Sequence, residues 1–300
     1  MQEWAPELRV DEDLARRLIR EQFPEVEQRA FRLLGEGWDN TVWLVDEEWV
    51  FRFPRRAMVV PGLETEIAYL PRLAPLLPLP VPVPTLVGQP TDAFGWPFCA
   101  APFLPGRELA EAALDEEARL ALGRPLGEFL LALHSVELDA ELPVDPVRRA
   151  DMAVRVPMAR ERFGQLERDG IWSVPPEAYE VVDAAAALPP PTRRVVVHGD
   201  LHLRHLLVGD SGEPTAVIDW IDLSANDPAV DLVLYRCALP PEGRAEFESA
   251  YGPVAEDQLL RACTLALFLC GTLAVYGHHE GLPDLTREAV GSLERIIRTG

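Results

Sequence analysis

Two short apolar runs, each followed by an acidic residue in a loop, constrain the fold of this chain more than any other feature. The first run is three valines at 195–197, and the loop after it contains Asp200. The second run, at 216–218, leads directly into Asp219. β-Branched runs bounded by polar residues predict strands. The sequence therefore predicts two strands whose ends can hold Asp200 and Asp219 near one another.

Two carboxylates in this arrangement suit one type of chemistry. Asp200 could face the hydroxyl of a substrate, while Asp219 could bind a Mg²⁺ ion that carries nucleotide phosphates. All 28 basic residues of the chain are arginine. Because lysine is absent, a Walker A phosphate loop and a Schiff base are both excluded, and any clamp on nucleotide phosphates must use arginine. The sequence therefore predicts phosphoryl transfer to a small molecule.

The overall charge and the cysteines limit the partners and the compartment. A formal net charge of −21 disfavours nucleic acid, because phosphate binding needs clustered cations. The same charge could attract a cationic ligand, although an acidic surface that only confers solubility explains it equally well. No apolar run approaches the ~20 residues of a membrane span, and residues 1–10 lack the pattern of a signal peptide. The four cysteines have no CxxC spacing, so reduced thiols and a cytoplasmic protein are expected.

The predicted elements divide the chain into two lobes. Residues 1–104 are predicted to form an N-terminal nucleotide-binding lobe, with a small antiparallel sheet and one main helix. The helix-breaking segment 104–106 marks the predicted boundary. Residues 105–300 are predicted to form a mostly helical C-terminal lobe with the catalytic loop and the acceptor site. Strands are expected at 30–34, 41–46, 49–54, 85–87 and 97–103, and helices at 11–22, 63–73, 115–135, 148–167, 176–187, 228–238, 243–251, 256–276 and 284–298.

A glycine-rich segment between the first two predicted strands is a candidate nucleotide-binding loop. It spans residues 35–42 and contains Gly35 and Gly37, and Val42 is placed to cover a flat base. A strand follows this loop rather than a helix, so the segment is not the dinucleotide-binding fingerprint. An ordinary hairpin turn, which needs no function, explains the same residues.

The third predicted strand carries an arginine between two aromatic residues. Strand alternation places Val50 and Arg52 on one face and Phe51 and Phe53 on the other. An arginine in this position needs a partner, which Glu66 of the following helix, or less favourably Glu64, can supply as a bidentate pair. The alternative is an arginine on an edge strand with no special role.

In this order, the motifs resemble the aminoglycoside phosphotransferase family of the protein-kinase-like superfamily. The resemblance covers nearly the whole chain, and it also includes the proline-rich connector 78–84, the segment 99–106, the helix end 133–135 and the run 226–232. Within the family, the chain looks most like the branch that includes phosphotransferases acting on aminoglycoside 2″ and macrolide 2′ hydroxyls.

The resemblance implies a fold, a reaction and a set of partners. The implied fold is α+β and protein-kinase-like, with two lobes. The implied reaction transfers the γ-phosphate of ATP or GTP, with Mg²⁺ or Mn²⁺, to a hydroxyl of a small cationic molecule such as an aminoglycoside antibiotic. We expect no nucleic-acid partner, no membrane, and a monomer or weak dimer.

The resemblance also implies roles for individual residues. Asp200 matches the catalytic aspartate and Asp219 the Mg²⁺-binding aspartate. The residues implied to bind the nucleotide are Gly35, Gly37, Val42, Val50, Arg52, Glu66 and Ala100, with Ala100 in the hinge that meets the base.

Two positions depart from the family pattern. Arg52 stands where a lysine is usual, and His205 stands where an asparagine binds the metal, five residues after Asp200. We expect His205 to act as a metal ligand, although a structural hydrogen bond to a neighbouring loop explains the same residue. Asp222 is a further candidate, as a partner for a substrate amine.

Other functions use the same residues. A metal-dependent phosphoesterase could use His198, Asp200, His202 and His205, but the Gly-Asn-His that this class needs is absent. A nucleotide-binding pseudoenzyme would keep the glycine-rich loop without the metal. Among kinases, acceptors related to macrolides, choline, homoserine or fructosamine are alternatives to an aminoglycoside.

Overall fold

The computed structural model describes residues 6–37, 39–137 and 142–298, so Trp38 of the glycine-rich loop lies outside the described residues. The chain forms two compact units. The first unit comprises Met1–Pro75, Pro80–Leu104 and the short segment Asp219–Ile221. The second unit comprises Leu76–Leu79, Pro105–Ile218 and Asp222–Gly300. The segment with Asp219 thus belongs to the first unit, although it comes late in the sequence.

The first unit is built on a five-stranded antiparallel sheet. Its elements are α1 (Glu12–Gln22), β1 (Phe31–Glu36), β2 (Asn40–Val45), β3 (Trp49–Pro54), α2 (Val60–Leu73), β4 (Leu86–Gly88) and β5 (Phe98–Pro102). The strands lie in the order β1-β2-β3-β5-β4. Each of the five predicted strands is present, within three residues of its expected ends.

Aromatic residues form the core of this unit. Phe51 and Phe53 of β3 are fully buried, as the predicted alternation requires. The ring of Phe53 stacks on Phe98 of β5 with 4.6 Å between centroids. Helix α1 covers this cluster with Leu18 and Ile19, both fully buried. Burial of large aromatic side chains is a major favourable term in folding, so this core fixes the sheet that carries Arg52.

The second unit is mostly helical. Its elements are β6 (Arg107–Glu108), α3 (Leu120–His134), α4 (Met152–Arg168), α5 (Pro176–Ala185), β7 (Val195–Val197), β8 (Leu206–Val208), β9 (Pro214–Val217), β10 (Ser224–Asn226), α6 (Val233–Cys237), α7 (Pro241–Tyr251), α8 (Glu256–His279) and α9 (Pro283–Ile297). Two small sheets, β6-β8-β9 and β10-β7, hold the loop that contains Asp200. The sheet of the first unit and the helices of the second confirm the predicted α+β class.

Two glycines allow helices α3 and α7 to pack closely. A β-carbon at Gly123 would lie 2.4 Å from the carbonyl oxygen of Gly243, and one at Gly127 would lie 2.7 Å from that of Phe247. Real β-carbons do not approach backbone oxygens so closely, so both α3 positions require glycine. These residues are one helical turn apart and therefore face α7 together.

Several element ends differ from the prediction because side chains cap the helices. Helix α4 begins at Met152 rather than at 148, since Asp151 caps it by accepting the amide of Ala153 at 2.9 Å. The helix predicted over 228–238 is divided into a single 3₁₀ turn, which Asp227 caps, and α6. The short strands β6 and β10 were not predicted. Each has only two or three residues, which is too short for an alternation pattern.

Helix α8 is long and apolar enough to cross a bilayer by its length and composition. The sequence reading found no such run because Arg261 and other polar residues interrupt it. In the structure, 67% of its most apolar window is buried inside the protein. The length and hydropathy of α8 are therefore explained by its burial in the core of the second unit.

Candidate active site

Arg52 and Glu66 form a buried ion pair in the first unit. Nη2 of Arg52, on β3, donates to Oε1 of Glu66, on α2. Glu66 is fully buried, whereas Glu64 is exposed, so Glu66 is the partner of the two that the sequence offered. Burial raises the pKa of the Glu66 carboxyl, and Arg52 opposes that shift. Burial lowers the pKa of Arg52, but Glu66, Cys99 and Asp219 together raise it by more, so the guanidinium stays protonated.

Asp219 joins this pair through a close approach of the backbone. A β-carbon at Gly62 of α2 would lie only 2.2 Å from the carbonyl oxygen of Ile221. The segment Asp219–Ile221 therefore packs directly on α2, one turn before Glu66. The negative charge of Asp219 raises the pKa of both Arg52 and Glu66, which places the three charges together. Gly62 was missed by the sequence reading because a helical glycine carries no sign of what approaches it.

The oxygen donors around Asp219 fit a magnesium ion. Oε2 of Glu66 is buried and makes no hydrogen bond within the described part of the chain. The carboxylates of Glu66 and Asp219 both lie close enough to the Arg52 guanidinium to affect its pKa. Mg²⁺ prefers carboxylate oxygen ligands, and Asp219 together with the buried Oε2 of Glu66 offers them. Asp219 also adopts a left-handed backbone with φ of 65°, which is uncommon outside glycine and is often found at functional sites.

The predicted nucleotide-binding residues lie on the sheet around Arg52. Val42 of β2 pairs with Arg52 of β3, and both Val42 and Val50 are half-buried. Ala100 of β5 pairs with Phe51, its side chain faces the aromatic core, and its carbonyl oxygen accepts the amide of Thr85 at 2.8 Å. Any contact of Ala100 with a base must therefore use its backbone. The base-binding role of these residues stays a prediction.

The glycine-rich loop has open space where side chains would be. A β-carbon at Gly35 would meet no atom within 4 Å, and one at Gly37 would meet only the carbonyl oxygen of Asn40, at 3.9 Å. Neither glycine has the positive φ that requires glycine. Packing within the described chain therefore does not explain these glycines, while a ligand that approaches the backbone would.

Asp231 organises the loop that carries Asp200 in the second unit. Its carboxylate is fully buried and accepts the amides of His198 and Gly199 at 2.9 and 3.0 Å. Nε2 of His134 lies 3.1 Å from the same carboxylate. Gly199 has φ of 92°, and a β-carbon there would lie 2.2 Å from the carbonyl oxygen of Asp222. The carboxylate of Asp231 and the packing of Gly199 therefore fix the backbone of this loop.

Three histidines surround Asp200 within this loop. Nδ1 of His198 accepts the amide of Asp200 at 3.2 Å, and Nε2 of His198 donates to the carbonyl oxygen of Ile218 at 3.0 Å. Nδ1 of His205 lies 2.7 Å from the carbonyl oxygen of Asp200. Nε2 of His202 lies 3.4 Å from Oδ2 of Asp200. His205 therefore makes the kind of structural hydrogen bond considered as the alternative to a metal role, and its metal role stays a prediction.

The surroundings keep the Asp200 carboxyl ionised. Burial raises its pKa, but the nearby His202, His205 and Arg149 lower it by more, so the pKa lies well below its usual range. A negatively charged carboxylate can accept a hydrogen bond from a hydroxyl and then its proton. Asp200 is thus chemically suited to the role predicted for it.

Arg149 is a site residue that the sequence reading missed. It forms ion pairs with Asp222 at 2.6 Å and with Asp145 at 2.8 Å. Asn226 donates a further hydrogen bond to Asp145 at 2.9 Å. Asp222 is therefore paired with Arg149, which it shares with Asp145, and its candidate role as the partner of a substrate amine stays a prediction. Only the fold brings residue 149 to residue 222, and no local pattern signals it.

The chain is similar to several known proteins. It is 44% identical over 41 residues to the uncharacterized protein YcbJ of Bacillus subtilis, a match that spans 14% of this chain and 13% of that one. A GDP complex of aminoglycoside 2′-phosphotransferase-IIIa matches with a TM-score of 0.71 and 22% identity, covering 96% of this chain and 99% of that one. A macrolide 2′-phosphotransferase from Brachybacterium faecium matches with a TM-score of 0.58 and 24% identity, covering 94% and 98%.

These structural matches confirm the predicted kinase-like fold along almost the whole chain. A structure of APH(2″)-IIia with GDP and kanamycin also matches, with a TM-score of 0.70, 24% identity and coverage of 94% and 97%. The sequence profile of the phosphotransferase enzyme family matches residues 30–262, which include Arg52, Glu66, Asp200 and Asp219. The predicted family and enzyme class are therefore confirmed, and the chain belongs to the phosphotransferase enzyme family.

Proposed function

We propose that this phosphotransferase is a small-molecule kinase that transfers the γ-phosphate of ATP or GTP to a hydroxyl of an aminoglycoside-like antibiotic. One observation carries the proposal: each unit holds one half of the required chemistry. The first unit has Asp219 beside the buried Arg52–Glu66 pair. The second unit has an ionised Asp200 on a loop fixed by buried hydrogen bonds.

Each residue of the candidate site has a distinct role in the proposed phosphoryl transfer. Arg52, held in place by Glu66, binds nucleotide phosphates with its remaining guanidinium donors. Asp219 would hold Mg²⁺, with His205 as the second predicted ligand, and a bound Mg²⁺ neutralises charge that develops on the phosphates. Asp200 orients the acceptor hydroxyl and takes its proton. The glycine-rich loop lets backbone amides approach the phosphates.

The acidic chain supports a cationic acceptor. A net charge of −21 favours the encounter with a polycation, because opposite charges attract over several ångströms in water. Kanamycin and gentamicin are bound in two of the proteins whose folds match. The GDP and ADP complexes among these proteins support a nucleotide as co-substrate. We further propose a cytoplasmic enzyme, a monomer or weak dimer, that confers antibiotic resistance.

A macrolide is the second candidate acceptor, and a specific observation favours it. Arg149 already pairs with Asp222 and Asp145, so part of the negative charge of these two carboxylates is already compensated within the protein. Val144 and Val147 are exposed in the same segment, with 51% and 47% of their surfaces accessible. A large apolar acceptor with a single amine would match this surface better than a polyamine would.

A phosphate-transfer screen tests the proposal. The purified protein is incubated with Mg²⁺, with ATP or GTP labelled at the γ-position, and with kanamycin, gentamicin, a macrolide, choline or homoserine. We expect transfer to kanamycin or gentamicin, and no transfer by the Asp200→Asn variant. Transfer only to the macrolide selects the second candidate. Nucleotide binding without transfer to any acceptor would contradict the kinase proposal and favour a pseudoenzyme.

A further inference from the structure

His202 lies against Asp200, and it has been described so far only as a group that lowers the pKa of that carboxyl. Its side chain is 10% exposed, and its Nε2 is 3.4 Å from Oδ2 of Asp200. The ring stacks on His205, with 3.8 Å between centroids and an interplanar angle of 29°. Little water can reach the contact, so a polar group in this place needs a partner within the protein.

Backbone contacts define which nitrogen of each ring carries the proton. A backbone amide only donates and a carbonyl oxygen only accepts. Nδ1 of His202 accepts the amide of Arg204 at 3.2 Å, so the proton of the neutral ring is on Nε2 and faces Asp200. Nδ1 of His205 faces the carbonyl oxygen of Asp200, so His205 carries its proton on Nδ1 and its lone pair on Nε2.

The positions of these ring protons indicate whether His202 binds a metal ion or donates a hydrogen bond to Asp200. Asp200, His202 and His205 each offer an atom, and these atoms lie within 4.8 Å of one another, as in a metal site. A metal on Nε2 of His202 would need the ring proton on Nδ1, where it would face the amide proton of Arg204. Two donors facing each other are unfavourable. His202 is therefore suited to Asp200 rather than to a cation.

We propose that His202 is a positioning residue for phosphoryl transfer. Its Nε2–H donates to one oxygen of the Asp200 carboxylate and fixes the rotation of that carboxylate. The other oxygen is then held ready to accept the hydrogen bond and the proton of the acceptor hydroxyl. The role rests on the proposed function, because it acts through Asp200.

Two variants of His202 distinguish the effect of its N–H donor from the effect of its side-chain bulk. His202→Leu removes the Nε2–H donor and keeps an apolar side chain of similar bulk, whereas His202→Gln keeps an N–H donor at a similar reach. We expect His202→Leu to lower kcat by roughly 10- to 100-fold, the scale of a misplaced reacting group, with little change in the KM for nucleotide. His202→Gln should recover most of this loss. The control is His279→Leu, which breaks a histidine–aspartate contact at an exposed site in the same unit, and should leave kcat unchanged.

A measurement without substrate keeps this proposal separate from the kinase proposal. In the wild-type protein with ¹⁵N-labelled histidine, nuclear magnetic resonance should show Nε2 of His202 bonded to hydrogen and Nδ1 as an acceptor. A proton on Nδ1, or a His202→Leu variant with wild-type kcat, overturns the positioning role. If the wild-type protein transfers no phosphate at all, the kinase proposal fails. A proton resonance of His202 Nε2 that shifts in the Asp200→Ala variant still supports the hydrogen bond to Asp200, and an unshifted resonance overturns it.

Discussion

The charged clusters of the two units are held in place by different interactions. In the first unit, Arg52 is fixed by the opposite charge of Glu66, and Asp219 adds a second carboxylate. In the second unit, hydrogen bonds with His198 and His205 hold the backbone of Asp200, while His202, His205 and Arg149 stabilise the charge of its carboxylate. Loss of charge should therefore destabilise the first cluster, whereas in the second it should impair function while the backbone hydrogen bonds keep the loop in place.

The largest expected effect is the loss of the buried charge of Arg52. Arg52→Met leaves Glu66 buried without its partner, so we expect unfolding free energy to fall by about 3 kcal/mol, the lower end for breaking a buried ion pair. Arg52→Lys keeps the charge and should lose much less. The control is Arg298→Met, which breaks the exposed i,i+4 pair with Glu294 and should cost at most about 0.5 kcal/mol. Urea denaturation measures all three, and equal losses for Arg52→Met and Arg298→Met would refute the assignment.

Asp200→Asn tests the second cluster without changing the shape of the side chain. We expect phosphate transfer to fall by roughly 10²-fold or more, because the group that orients the hydroxyl and takes its proton is lost. Nucleotide affinity, measured by calorimetry, should stay close to wild type. Near wild-type turnover in Asp200→Asn would remove this residue from the catalytic role.

Gly62→Ala tests the first cluster from a residue that carries no charge. A β-carbon at this position would meet the carbonyl oxygen of Ile221, so we expect the segment with Asp219 to shift away from α2. Affinity for the Mg²⁺–nucleotide complex should fall on the order of 10-fold, as when a residue that orients a metal ligand is changed. Gly95→Ala is the matched control, because a β-carbon there meets nothing within 4 Å. Calorimetric titration measures the affinity of both variants for the Mg²⁺–nucleotide complex. Unchanged affinity in Gly62→Ala would show that the packing of residues 219–221 on α2 does not position Asp219.

The smallest expected effect is a change of metal preference at His205. His205→Asn supplies an oxygen ligand, so turnover with Mg²⁺ should rise a few-fold relative to turnover with Mn²⁺, which accepts imidazole more readily. If His205 serves only to hold the Asp200 carbonyl, the variant should lose thermal stability with no change in metal preference. Turnover measured across both metal concentrations distinguishes the two results, and identical metal dependence excludes His205 as a ligand.

Features that depend on residues close together in the sequence were predicted well, and contacts between distant residues were not. The strand with Arg52 and the helix with Glu66 were predicted together with their contact, because strand alternation and the need of a buried charge for a partner are local rules. The cap at Asp151 places the start of α4 at Met152 rather than at 148, a difference that periodicity alone does not resolve. The ion pair of Asp222 with Arg149 was not predicted, because the two residues are far apart in the sequence.

The sequence by itself determined the order of the elements, the fold class and the residue types available for phosphoryl transfer, since hydrophobic periodicity and charge are properties of the chain. Only the tertiary structure decided which of these residues meet. It packed residues 219–221 against Gly62, paired Arg149 with Asp222, and placed His202 against Asp200. Each of these contacts depends on the distance between particular atoms of the folded chain, and no pattern of residue types encodes such a distance.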